Sequence, residues 1–199
     1  MIKNIVFDFG GVIADIDRDK AVQAFVKLGL KDAETRLDKY QQAVKAFIRL
    51  GVTDADRILD KYHQTGIFQE LEEGKLSADG FREKLGELCG RELSAEETRQ
   101  AWLGFFTGVD VHKLDYILEL RKSYRVYILS NTNPYVMSWA CSPEFSSQGK
   151  SLADYCDKLY LSYQLGCTKP DKGIFYHMLE DSGMVPSETL FVDDGDSNV

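Results

Sequence analysis

The sequence predicts an α/β fold, a mostly parallel sheet covered by helices, with an all-helical module inserted near the amino end. Three observations predict it. Short apolar runs of strand character recur at residues 5–7, 126–129, 158–161 and 190–192, separated by amphipathic stretches of helical period. Three of these runs stop abruptly at polar residues. Between residues 18 and 108 no strand signature occurs and helical patterns follow one another, as expected of a bundle inserted into the chain.

Taken in order, Ile5-Val6-Phe7 reads as a buried strand ending at Asp8, with Gly10-Gly11 in the turn after it. Asp19 to Leu28 places Ala21, Val22, Phe25 and Val26 at helical recurrence before Gly29. Further helices are expected over residues 32–50 and from Thr53, which with Asp56 resembles a capping box, through Tyr62. Gly66-Ile67-Phe68 opens a short stretch ending in the charged turn Glu72-Glu73-Gly74-Lys75. Ser77 caps a helix carrying Phe81, Leu85 and Leu88. Ser94 with Glu97 forms a capping box ahead of Trp102, Leu103, Phe105 and Phe106, all expected on that helix.

After an amphipathic helix over residues 112–122, Val126 to Leu129 forms the second strand and ends at Ser130-Asn131-Thr132-Asn133. Pro134 starts a helix, and Pro143 to Lys150 reads as a polar loop. Lys158 to Leu161 is the third strand. Gly166 to Pro170 is a turn containing Lys169, and residues 171–181 are helical. Leu190 to Val192 is the fourth strand, closed by Asp193-Asp194-Gly195. The domains are then a core of residues 1–17 plus 109–199 and a helical cap of residues 18–108. A further helix is expected beyond Val199, because a parallel sheet needs that crossover to cover its face.

The chain has 199 residues, 44% of them hydrophobic and 28% charged, in the range of an ordinary globular protein. A net charge of -8 argues against a nucleic-acid partner. No apolar tract is long enough for a membrane span, and the run before Asp8 is too short for a signal peptide. Cys89, Cys141, Cys156 and Cys167 form no CxxC pair, and His63, His112 and His177 belong to no cluster. Free thiols in a reducing compartment are expected, and a cytoplasmic location with them.

If the sheet is parallel, Asp8, Ser130-Asn131-Thr132 and Asp193-Asp194 all reach its carboxyl edge, where α/β folds bind ligands. Several carboxylates, a hydroxyl, a lysine and glycine amides together suit phosphoryl transfer with Mg²⁺. Carboxylate oxygens are hard ligands for that ion, and cations with N–H groups offset phosphoryl charge.

These residues carry a resemblance to the haloacid dehalogenase-like hydrolase superfamily that covers essentially the whole chain. Its first motif matches Asp8-Phe9-Gly10-Gly11-Val12-Ile13, with Asp15 where many members carry another acid. The second matches Ser130 in LSNTN, the third Lys169 in GCTKP, and the fourth Asp193, Asp194 and Asn198 in FVDDGDSN. The nearest likeness is to a bacterial subgroup with DxGxV, LSNTN and KP signatures, which includes an α-glucose-1-phosphate phosphatase. The resemblance implies a Rossmann-like core with a helical cap between the first and second motifs. It implies Asp8 as nucleophile through an aspartyl-phosphate, and Mg²⁺ on Asp8, the Gly10 carbonyl, Asp193 and Asp194. It further implies Ser130 and the Asn131 amide on phosphoryl oxygens together with the Gly10-Gly11 turn, Lys169 as charge neutraliser, and Asn198 supporting the metal-side loop. The substrate is expected to be a small phosphorylated metabolite such as a sugar phosphate, and the protein a monomer or homodimer.

One departure stands out. Phosphatases of the family usually carry a second Asp two residues after the nucleophile, as acid to the leaving group and base to water, and here that position is Gly10. Asp15, Asp17 or a group on the substrate are the alternatives. A metal-independent 2-haloacid dehalogenase is the second reading, since halide needs no proton, and a binding protein that has lost catalysis is the third. Within the cap, Gly66 to Leu76 lies where residues face the site, which nominates Phe68, Gln69 and Glu72 for substrate contact.

Overall fold

A computed structural model describes residues 1–31, 66–195 and 198. The helices expected over 32–50 and from Thr53 through Tyr62 lie outside the described residues. The core is a four-stranded parallel sheet of β1 (Asn4–Phe7), β4 (Arg125–Ser130), β5 (Lys158–Leu161) and β6 (Thr189–Val192), in the order β5-β4-β1-β6. Phe7 pairs with Ile128 on one side and Val192 on the other, so the strand carrying Asp8 is central.

Both faces of the sheet are covered, which explains the near-continuous apolar character of its strands. Alternate residues of β4 go to opposite cores. Val126 and Ile128 join the larger one, and Tyr127 and Leu129 the smaller one with Ile174 and Met178. The latter two lie on a helix over Lys172–Ser182 whose amino end is capped by Asp171. A helix over Val111–Leu120 sends Leu114 and Ile117 into the larger core.

The cap contains α1 (Arg18–Lys27), α2 (Ile67–Glu72), α3 (Ala78–Cys89) and α4 (Ala95–Leu103) among the described residues. Its interior is aromatic. Phe25 and Phe68 meet edge to face at 5.3 Å, Phe68 and Phe81 at 5.2 Å, and Phe25 and Trp102 at 5.7 Å. Such pairs add about 0.5–1.5 kcal/mol each beyond the area they bury. The Ser94–Glu97 capping box forms as expected, and Ser77 caps α3.

Three local expectations are corrected. The helix begun at Ser94 ends at Leu103, capped by Gly104, and the chain continues as a strand, β3 (Phe106–Val109), which pairs antiparallel with β2 (Ala14–Ile16). This ribbon sits where the chain passes between core and cap, and Asp17 N–H donates to the Phe105 carbonyl at its end (2.7 Å). Residues 67–72, expected only as a short stretch before a turn, form a helix. The polar loop after Pro143 contains a 3-10 turn that buries Phe145 against Phe9, at 6.0 Å between ring centroids. No helix among the described residues is long and apolar enough to cross a membrane.

Candidate active site

Asp8 follows the last residue of β1 and Asp193 the last residue of β6. Their strands are paired neighbours, so the two acids stand side by side at the carboxyl edge. The Asp8 N–H continues the ladder by donating to the Val192 carbonyl (2.8 Å). Ser130 ends β4 on the other side of β1 and is buried.

Lys169 comes from the turn after a short helix, α5 (Ser162–Leu165), and is 1% exposed. Its Nζ donates to Asp8 Oδ1 (2.7 Å) and to Asp193 Oδ2 (2.5 Å), and lies 5.5 Å from the Phe191 ring centroid. The side chain of Asn131 fixes the backbone of that turn. Its Oδ1 accepts from Lys169 N–H (2.7 Å), and its Nδ2 donates to the Lys169 carbonyl (3.0 Å). Asp193 is oriented from its other oxygen, which accepts from Gly195 N–H (2.8 Å) and Asn198 Nδ2 (2.9 Å).

Asp8, Asp193 and Asp194 each offer a carboxylate oxygen, and these oxygens lie within 4.8 Å of one another. Three convergent carboxylates suit a hard divalent cation. Burial pushes the Asp8 carboxyl up to about 6; the Lys169 ammonium pulls the other way and Asp193 adds to the rise. A cation would remove the cost of ionising Asp8.

The glycine turn borders the cluster. Gly11 has φ +79°, and a Cβ there would stand 2.3 Å from Asp194 Oδ2. Gly10 is different: a Cβ there meets only the side chain of Ile16, its δ-methyl at 2.7 Å. Neither nearby acid stands free. Asp15 pairs with Lys113 (2.8 Å), whose Nζ also donates to the Val12 carbonyl (3.0 Å). Asp17 caps α1 by accepting from Lys20 N–H (3.1 Å).

From the cap, Phe68 is buried in the aromatic interior, and Gln69 donates to Glu73 (2.8 Å), which also pairs with Lys75. Glu72, in the last turn of α2, is 9% exposed. Burial pushes its carboxyl up to about 8; the charges of Asp8 and Glu73 add to the rise, and Lys169 opposes it. The next turn is pressed onto the core: Gly74 has φ +67°, and a Cβ there would stand 2.2 Å from the Tyr163 carbonyl.

Ser162 was not among the expected site residues. Buried completely, it accepts from Thr132 N–H (2.9 Å) and donates to the Thr132 carbonyl (3.1 Å), holding the loop that follows Ser130. Its signal was present in the sequence, because it is another polar residue placed immediately after an apolar strand.

The family model of haloacid dehalogenase-like hydrolases matches residues 2–199. The chain is 71% identical over 199 residues to a D-ribitol-5-phosphate phosphatase of Bacteroides thetaiotaomicron, covering 100% of this chain and 86% of that protein. It resembles a solved HAD-like hydrolase of Porphyromonas gingivalis (40% identity, TM-score 0.84, covering 100% of this chain and 84% of the other). It also resembles a HAD family enzyme of B. thetaiotaomicron solved in complex with magnesium and inorganic phosphate (32% identity, TM-score 0.79, covering 100% and 87%).

Proposed function

This chain belongs to the haloacid dehalogenase-like hydrolase family, and we propose that it is a Mg²⁺-dependent phosphatase whose substrate is a small phosphorylated polyol of the D-ribitol-5-phosphate type. The observation that carries this reading is the cluster of Asp8, Asp193 and Asp194 around Lys169. Three converging carboxylates serve a divalent cation and a phosphate, and have no work to do in metal-free displacement of halide. The polyol comes from the relative that shares 71% of its residues with this chain.

In this reading Asp8 attacks phosphorus, forming an aspartyl-phosphate and releasing the alcohol; water then attacks phosphorus and restores the carboxylate. Lys169 holds one oxygen of Asp8, which leaves the other for attack. It also brings positive charge to the phosphoryl group. Ser130 and the Asn131 amide are assigned to phosphoryl oxygens, with the amides of the Gly10-Gly11 turn. Mg²⁺ would be held by Asp8, Asp193 and Asp194 with the Gly10 carbonyl, and when bound it draws negative charge from the phosphoryl oxygens. Gln69 is assigned to the side of the cap that faces the substrate, and Phe68, buried in the cap interior, to the packing behind it.

The test is phosphate release from D-ribitol-5-phosphate with and without Mg²⁺, run beside Asp8→Asn. Release is expected only with Mg²⁺, and D8N is expected to lose about 10⁴-fold or more in kcat, the scale seen when a covalent nucleophile is removed. Halide release from a 2-haloacid without metal would overturn the reading.

A further inference from the structure

The alcohol leaving from a primary polyol phosphate is a poor leaving group. Its oxygen needs a proton as the bond to phosphorus breaks, and a positioned acid is typically worth ~10²–10⁴-fold in rate. Among its described residues the core offers none beyond the acids already given to the nucleophile and the metal. Gly10 has no side chain and its space faces Ile16, Asp15 is ion-paired with Lys113, and Asp17 caps a helix.

Asp8 and Glu72 are the two acidic residues buried as whole residues among the described ones, and the Asp193 side chain is covered as well where Lys169 holds it. Asp8 lies at the carboxyl edge of the sheet, and Glu72 ends the cap helix whose following turn meets Tyr163 just beyond the carboxyl end of β5. The charges of both Asp8 and Lys169 act on Glu72, although it hydrogen-bonds to neither. Its side chain makes no hydrogen bond or ion pair with any described residue, whereas its neighbour Glu73 is engaged by Gln69 and Lys75. The turn carrying it is fixed against the core where Gly74 abuts the Tyr163 carbonyl. The buried side-chain atoms without a partner are Trp102 Nε1 and Asn198 Oδ1 among the described residues and not the Glu72 oxygens, which therefore keep some accessible surface where a ligand can meet them. Burial beside Asp8 keeps the proton on Glu72 near neutral pH, the state a donor requires.

We infer that Glu72 is the proton donor to the leaving oxygen of the substrate. This rests on the phosphatase reading above. In the first half-reaction the Asp8–phosphorus bond forms, the bond from phosphorus to the alcohol oxygen breaks, and the Glu72 proton passes to that oxygen. In the second, the Glu72 carboxylate takes a proton from the attacking water. The acyl phosphate is cleaved at its P–O bond, and inorganic phosphate, Asp8 carboxylate and protonated Glu72 are restored. The cap thereby reads the substrate and completes the catalytic set.

The experiment compares Glu72→Gln with the wild type on two substrates, D-ribitol-5-phosphate and p-nitrophenyl phosphate, with saturating Mg²⁺. Nitrophenolate leaves without protonation and both substrates share the later hydrolysis, so the rate read is single-turnover release of the leaving group: the polyol phosphate is expected to lose about 10²–10⁴-fold and p-nitrophenyl phosphate at least tenfold less. Glu72→Ala supplies a second measurement: added formate is expected to restore part of its activity on the polyol phosphate. Equal losses on both substrates, or no loss on either, overturn the assignment. Failure of formate rescue in a folded Glu72→Ala protein also counts against it. If the wild type itself releases phosphate from neither substrate, it is the phosphatase reading that fails.

Discussion

Lys169 is a buried ammonium held between two carboxylates, and each of the three depends on the others for charge balance. Removing one member of a buried ion pair leaves a charge without compensation, at a cost of about 3–5 kcal/mol. Lys169→Met is therefore expected to lower the urea midpoint of the magnesium-free protein, and Mg²⁺ is expected to recover part of the loss by replacing the missing positive charge. Activity should not return with stability, because the hydrogen bond that Lys169 gives to Asp8 Oδ1 is still missing. A variant that unfolds at the wild-type midpoint would show that the triad is not the tightly coupled unit its distances describe. Residues of this kind were legible in the sequence, since Asp8, Ser130 and Asp193 follow abrupt changes from apolar to polar, whereas Lys169 stands in the turn Gly166 to Pro170 and was legible through the family motif. Glu72 was legible only as a candidate. In the run Glu72-Glu73-Gly74-Lys75 its neighbours look the same, and what separates it from Glu73 is the seating of the cap on the core.

At the level of elements, the turn after β1 contains two adjacent glycines with different physical demands. Gly11 occupies the left-handed region against Asp194, where an added side chain costs roughly 1–2 kcal/mol in backbone strain and displaces an acid of the metal cluster. Gly10 has no such backbone constraint, and a methyl group there has only to move the end of Ile16. Gly11→Ala is thus expected to weaken Mg²⁺ binding by tenfold or more, and Gly10→Ala to change it less than threefold, as read by calorimetric titration. Equal effects would mean that the turn responds as a whole. The β2–β3 ribbon was the element least legible beforehand. Strands of three and four residues carry too little alternation to register, and Phe105-Phe106 continue the apolar spacing of the helix before them. What makes them strands is pairing between segments far apart in the chain, a tertiary effect with no local signature.

For the molecule as a whole, Glu72 links catalysis to stability. Its carboxyl is raised from 4.5 to about 8 in the folded protein, so the native state binds a proton that the unfolded chain has lost. The resulting stabilisation is fully present below about pH 4.5 and disappears as pH rises through about 8. The melting temperature of the magnesium-free protein should therefore fall across that window, and Glu72→Gln should fall less steeply. Parallel curves for the two proteins would place the burden elsewhere.

The central position of β1 has a geometric consequence. Neighbouring strands in any sheet lie about 4.7–4.9 Å apart, and Asp8, Ser130 and Asp193 stand on three successive strands of one. The width of the catalytic set is thus inherited from backbone hydrogen bonding, not tuned by side-chain packing. A slip of one residue between strands would turn a group to the opposite face, so the core admits discrete arrangements and no gradual ones. The cap meets this core through the ribbon and through contacts such as Tyr135 Oη on the Ala78 carbonyl (2.6 Å), and these impose no such register. Substrate choice can drift by small steps in the cap while the spacing at the phosphorus atom stays at the pitch of the sheet.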